Sequence, residues 1–100
     1  MANKQTFNEA KAKHFKTLGQ YVPIVARVHG GSHPEFHDVH KLFDAINQKV
    51  KKAGSQMPDL NGEFEKLCEI TNNYTVPNDV CESYEAVYKM LAELDKAYQA

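Results

Sequence analysis

Apolar residues recur along this chain at intervals of three and four, and no segment alternates with a period of two. That pattern predicts helices and no strands. Phe7, Ala10, Leu18, Tyr21, Val22, Val25 and Val28 mark one buried face and predict a first helix over about 7–29. Thr6 and Glu9 have capping-box spacing at its start, which would leave Met1 to Gln5 frayed. Pro23 interrupts the pattern, and its ring would meet the carbonyl of Gly19, where the missing side chain lets the backbone bend. A kinked but continuous helix is therefore expected, with a break at Pro23 as the competing reading.

Phe36, Val39, Phe43, Ile46 and Val50 form a stripe that predicts a second helix over about 33–52, ended by Gly54-Ser55. Lys49, Lys51 and Lys52 suit its negative end, and Pro58 discourages further helix in the connection. Leu60, Phe64, Leu67, Cys68 and Ile70 predict a third helix over about 60–71. Gly62 weakens its start by about 1 kcal/mol relative to alanine unless packing needs the small residue. The run Thr71-Asn72-Asn73-Tyr74 breaks the pattern, and Thr75 as cap with Pro77 in the first turn predicts a last helix over about 76–98. Its stripe is Val80, Tyr84, Val87, Tyr88, Leu91, Leu94 and Tyr98. Short joints favour antiparallel neighbours, so the expectation is a single all-α domain over 1–100, an antiparallel four-helix bundle.

The stretch from Arg27 to Phe36 joins the first two helices. Gly30 and Gly31 can leave right-handed geometry, and Ser32 with Glu35 has the spacing of a second capping box, with Pro34 suited to a first turn. The same region holds His29, His33, His37 and His40, four of the five histidines. It is where chemistry is expected if the chain performs any.

Composition changes little: 42% hydrophobic and 25% charged residues are ordinary for a globular domain. The net charge of -1 is uneven, however. Residues 1–30 carry five basic side chains and one acidic, and residues 61–100 carry eight acidic and three basic. Packing the first helix on the last would bring opposite charges together. No basic block tracks phosphates, so nucleic acid is not an expected partner. No run is long enough to span a bilayer or act as a signal peptide, which leads to the expectation of a cytoplasmic protein with reduced thiols and no membrane contact.

Cys68 and Cys81, thirteen residues apart, make neither a CxxC pair nor a zinc knuckle and are read as small buried hydrophobes. Pairing either with a histidine as a nucleophile lacks an oxyanion-forming turn and is the weaker reading. His14 falls on an apolar face and reads as a satisfied core histidine. His33, His37, His40 and Asp44, spaced four, three and four, share a helix face at the bundle edge. Imidazole and carboxylate at that spacing suit zinc or iron, so these four are the candidate metal ligands; capping and surface roles are the alternative.

Two segments carry a resemblance. The residues from Val22 to Gly30, His33-Pro34-Glu35 and Leu42-Phe43 resemble the middle of the bacterial iron-sulfur cluster repair proteins of the hemerythrin-like class. Gly62-Glu63, then Ile70 to Thr75, Pro77 and Val80-Cys81, are similar to that family's later TNNYT-x-P region. The resemblance implies a hemerythrin-like bundle, a di-iron centre and a role in restoring clusters damaged by oxidative or nitrosative stress.

The departures bear on that site. The family's HMxKEE segment is replaced by residues 49–59, its EH pair ahead of the Gly-Glu by Asp59-Leu60, and its early paired histidines by Phe7 and Asn8. The sequence ends at Ala100 before the family's HxHxxEN stretch. His29 and His33 match family positions that are not core iron ligands. A bundle di-iron site also needs inward carboxylates and histidines on all four helices, commonly as Glu-x-x-His, and no such repeat occurs here. The expected reading is a small, non-enzymatic relative with no cofactor that acts by protein contacts. The alternatives are an iron- or zinc-binding protein and a structural domain with no iron role. Tyr74, Tyr84, Tyr88 and Tyr98 exceed what a small core hides comfortably, which makes a homo-oligomer an expected partner state.

Overall fold

A computed structural model describes residues 4–54 and 56–99. Among them are four helices and no strand: α1 Lys4–His29, α2 Glu35–Ala53, α3 Asn61–Ile70 and α4 Glu82–Gln99. One core runs through all four, and it includes Phe7, Val22, Val25, Phe36, Phe43, Leu67, Tyr88, Leu91 and Leu94. The radius of gyration, 12.8 Å, is that of a compact chain of this length. The first and last helices pack along each other, α1 packs on α2, and α2 packs on α3.

Helix α1 passes through Pro23 without a break; Pro23 and Gly19 are both exposed, so the carbonyl that proline leaves without a helical donor is open to solvent. It begins earlier than its apolar face predicts. Thr6 is inside the helix, so the Thr6–Glu9 box does not start it. Of the residues expected to fray, 1–3 lie outside the described residues and Lys4 and Gln5 are helical. Val28, expected on the buried face, is 65% exposed, while Val25, Ala26 and Gly30 around it are buried, so the packed face passes to one side of it.

The second box also fails. Pro34 occupies the cap of α2 with no side-chain cap bond, and the Glu35 carboxylate turns back to His33. Gly54 ends α2 with φ 60, a left-handed value that glycine alone adopts without steric cost. Gly30 is needed for a different reason. Its φ is not positive, but a Cβ there would collide with the Ala26 carbonyl and the His37 ring. Packing does not require Gly62, which has open space around its Cβ position.

The largest correction is at the start of α4, six residues later than the expected 76. The left-handed turn is made by Asn72, Asn73 and Tyr74, with φ 52, 58 and 59. Asparagine tolerates that region; tyrosine is strained there by about 1 kcal/mol or more. Local bonds hold it: the Tyr74 amide donates to Thr71 Oγ1 at 2.8 Å, and the Asn73 amide reaches the Cys68 carbonyl at 2.7 Å. Thr75, expected to cap α4, instead donates its hydroxyl to the Asn72 carbonyl at 2.6 Å. Its oxygen therefore serves the turn behind it, and Pro77 lies in non-helical chain. The helix starts where the Glu85 amide donates to the Cys81 carbonyl.

Candidate functional site

The joint between α1 and α2 is fixed by its backbone. The amides of Ser32 and His33 donate to the carbonyl of His29 at 3.1 and 2.7 Å, and that of Gly30 donates to Ala26 at 3.0 Å. His33, half-buried, faces Glu35 with Nδ1 and Asp79 with Nε2, both at 3.1 Å. Only the protonated ring donates to both carboxylates at once; a neutral tautomer donates to one and turns a lone pair on the other. Beneath it, Tyr84 is wholly buried, with its ring centroid 5.5 Å from those of His29 and His33 and 4.9 Å from that of Phe36. Burial, then the 3.0 Å contact to the Tyr88 hydroxyl and the nearby Glu35, push the Tyr84 phenol well above its ordinary range.

The other candidate ligands spread away from His33. His37 is exposed and lies against Gly30; His40, half-buried, pairs loosely with exposed Asp44 at 3.5 Å. The structure thus brings His40 to Asp44 and His33 to Glu35 and Asp79. Among the described residues, no three or more His, Cys, Asp or Glu side chains are arranged to hold a metal ion.

Both cysteines are free thiols, and they differ from expectation in that neither is fully buried. Cys81 is exposed, just ahead of α4, with Sγ 3.1 Å from His29 Nε2. Cys68 is half-buried and donates to the Asp95 carboxylate at 3.2 Å. Burial first, and Asp95 second, push the Cys68 thiol up. Packing explains both results. The late start of α4 leaves Cys81 in the connecting chain, and Cys68 sits where the buried Asp95 offers an acceptor.

Asp95, one of the acids of α4, is only 9% exposed. It accepts from the Tyr74 hydroxyl at 2.8 Å, from Cys68, and from the Gln99 amide at 3.3 Å. The signal was present in the sequence: Asp95 lies four residues after Leu91 and three before Tyr98, within the apolar stripe. A groove of about 530 Å³ opens beside it, lined by Asn61, Phe64, Glu65, Cys68, Asp95 and Gln99. Burial, reinforced by the bond to Asp95, raises the Tyr74 phenol far beyond its usual range. At the end of α4, the Tyr98 hydroxyl donates to the Pro58 carbonyl at 3.0 Å and accepts the Leu60 amide at 2.9 Å, supplying the start of α3.

His14, only 7% exposed, pairs with Glu93, a satisfied histidine as the apolar face implied. It is also a point where the basic first helix meets the acidic last one. Tyr84, Tyr88 and Tyr98 are buried within the chain and Tyr74 is half-buried, so these tyrosines are used inside the bundle. Among the described residues, the large exposed apolar side chains are Ile24 and Val28.

A di-iron centre of the kind the resemblance implies does not fit these residues. Where such a bundle places its carboxylates and histidines, the interior holds Val22, Val25, Phe36, Val39, Phe43, Tyr84, Tyr88 and Leu91. The buried ionisable pair His14 and Asp95 are already held by protein partners, Glu93 in one case and Tyr74 and Cys68 in the other.

The chain is similar to the iron-sulfur cluster repair protein ScdA of Staphylococcus haemolyticus (strain JCSC1435). The two are 22% identical over 121 residues, covering 90% of this chain and 54% of that protein. The chain thus spans about half the length of the curated relative it matches. No family model matches it, and no solved structure matches it significantly. Among the described residues, no helix is long and apolar enough to cross a membrane.

Proposed function

We propose that this chain is a degenerate relative of the iron-sulfur cluster repair proteins, with an antiparallel, hemerythrin-like bundle, that acts in an iron or stress setting by protein contacts and not through a bound di-iron centre. The similarity to ScdA across nine-tenths of the chain supports the iron setting. The observation that argues against a bound di-iron centre is the aromatic centre of the bundle, where Phe36, Tyr84 and Tyr88 fill the space between helices with rings 4.9–6.3 Å apart. An iron pair in that space would need several of these side chains replaced by carboxylate or imidazole.

A second reading uses His33, His37, His40 and Asp44 to bind iron or zinc. It draws on the His40–Asp44 pair and on the carboxylates around His33. Metal analysis of untagged protein, followed by its visible spectrum after anaerobic iron addition and exposure to air, tests the first reading. The expected result is substoichiometric iron and no oxo-bridge absorption. Stoichiometric iron with that absorption overturns it.

A further inference from the structure

We infer that Cys81 and His29 form a nucleophilic thiol–imidazole pair that reacts with hydroperoxides, a site independent of the iron-related reading. The two residues are 52 apart in sequence, yet the fold brings His29 Nε2 to 3.1 Å from Cys81 Sγ. A base within hydrogen-bond reach of a nucleophile is the first geometric requirement for activation. His29 is the last residue of α1, and its carbonyl accepts two amides of the joint, which fixes the backbone that carries the ring. The edge of Tyr84, at 85° to the imidazole plane, supports the ring from the core side.

The thiol also lies at a helix start. The Cys81 carbonyl accepts the Glu85 amide, so Cys81 stands at the cap of an 18-residue helix whose first amides have no intrahelical partner. Cys81 Sγ therefore stands beside a helix start and within reach of the His29 ring. Asp79, the acid two residues earlier, is engaged by His33. Cys81 is also exposed, so a small electrophile reaches it from solvent. Cys68 is the internal contrast, a half-buried thiol donating to a carboxylate, which disfavours its thiolate.

The reaction balances with a hydroperoxide as oxidant and a low-molecular-weight thiol as reductant. His29 takes the Cys81 proton as the sulfur attacks the hydroperoxide, an S–O bond forms, the O–O bond breaks and sulfur is oxidised by two electrons. The leaving hydroxide or alkoxide takes the proton from His29, giving water or alcohol and a Cys81 sulfenic acid. A low-molecular-weight thiol then forms a mixed disulfide with release of water. A second equivalent frees Cys81 and leaves as the small-molecule disulfide.

The test measures each cysteine separately in the full chain by mass spectrometry. Iodoacetamide alkylation, and dimedone trapping after one equivalent of hydrogen peroxide, are followed in the wild type and in His29→Gln. In the folded wild type, Cys81 should react about tenfold faster than Cys68, and also faster than Cys81 in urea-unfolded protein. The His29→Gln variant should slow Cys81 several-fold and leave Cys68 unchanged. Cys81 reacting no faster folded than unfolded overturns the inference. So does an unchanged Cys81 rate in a His29→Gln variant whose circular dichroism matches the wild type. The folded-to-unfolded ratio needs no variant and decides the matter even if His29→Gln does not fold.

Discussion

Two clusters on this small bundle contain the same residue types in opposite settings. At the α1–α2 joint, Cys81 is exposed beside a base, and His33 lies between two carboxylates of which Asp79 is largely in water. Toward the end of α4, Cys68 and Tyr74 turn their protons inward to Asp95, a carboxylate nearly closed off from solvent. The difference shows what position does to identical chemistry. A thiol beside imidazole at an open helix start is set up to react, and a thiol beside a buried carboxylate is set up to hold the fold. In the inner cluster Asp95 secures the left-handed turn at 72–74, so its stability role extends to the connection that delays α4.

Core deletion sets the scale for this comparison. Leu91, fully buried one turn before Asp95, belongs to the same core as Val25, Tyr88 and Leu94. Leu91→Ala should cost about 2–5 kcal/mol in denaturant titration, enough to unfold a marginal domain of this size. A loss within about 0.5 kcal/mol would refute the packing of α4 described above.

The inner cluster comes next. Asp95→Ala leaves the Tyr74 hydroxyl and the Cys68 thiol without their acceptor and should cost about 1–3 kcal/mol. Its thermodynamic coupling to Tyr74→Phe, read from a double-mutant cycle in urea, should be clearly non-zero. Additive single costs would mean that the turn at 72–74 is held by its backbone bonds alone, and the contrast between the clusters would weaken.

The smallest effect belongs to the outer edge. His37→Ala removes an exposed ring and should change stability by no more than about 0.5 kcal/mol. Zinc titration by calorimetry, with thermal unfolding in chelator and in metal, should find weak binding shared equally by wild type and variant. Tight one-to-one binding that vanishes in His37→Ala would move the functional centre to residues 33–44, because a metal held by the folded state adds to its stability.

Much of this was legible from residue spacing. Period-three and period-four apolar positions located all four helices, since a helix face repeats locally and needs no knowledge of its partner. The same spacing identified His14 as a core histidine. Gly54 marked the end of α2 through a backbone preference that a single residue expresses. The resemblance in residues 22–43 and 62–81 pointed to the family of the curated relative.

What the sequence could not fix were choices between equally good local options. Ser32 and Glu35 have capping-box spacing, and Thr75 is a good cap residue, but each side chain had a competing partner brought close by folding or by the adjacent turn. Glu35 pairs with His33, and Thr75 closes back on Asn72. Asp95 lies within the apolar stripe of α4, but its donors, Tyr74 and Cys68, are 21 and 27 residues away and meet it only in the fold. The contact between His29 and Cys81 spans 52 residues and exists only because α1 and α4 pack along each other while α4 begins at Glu82. Periodicity records which face of a helix is apolar. Which polar atoms meet across the bundle depends on how the helices are set against one another, and that was decided by the tertiary packing.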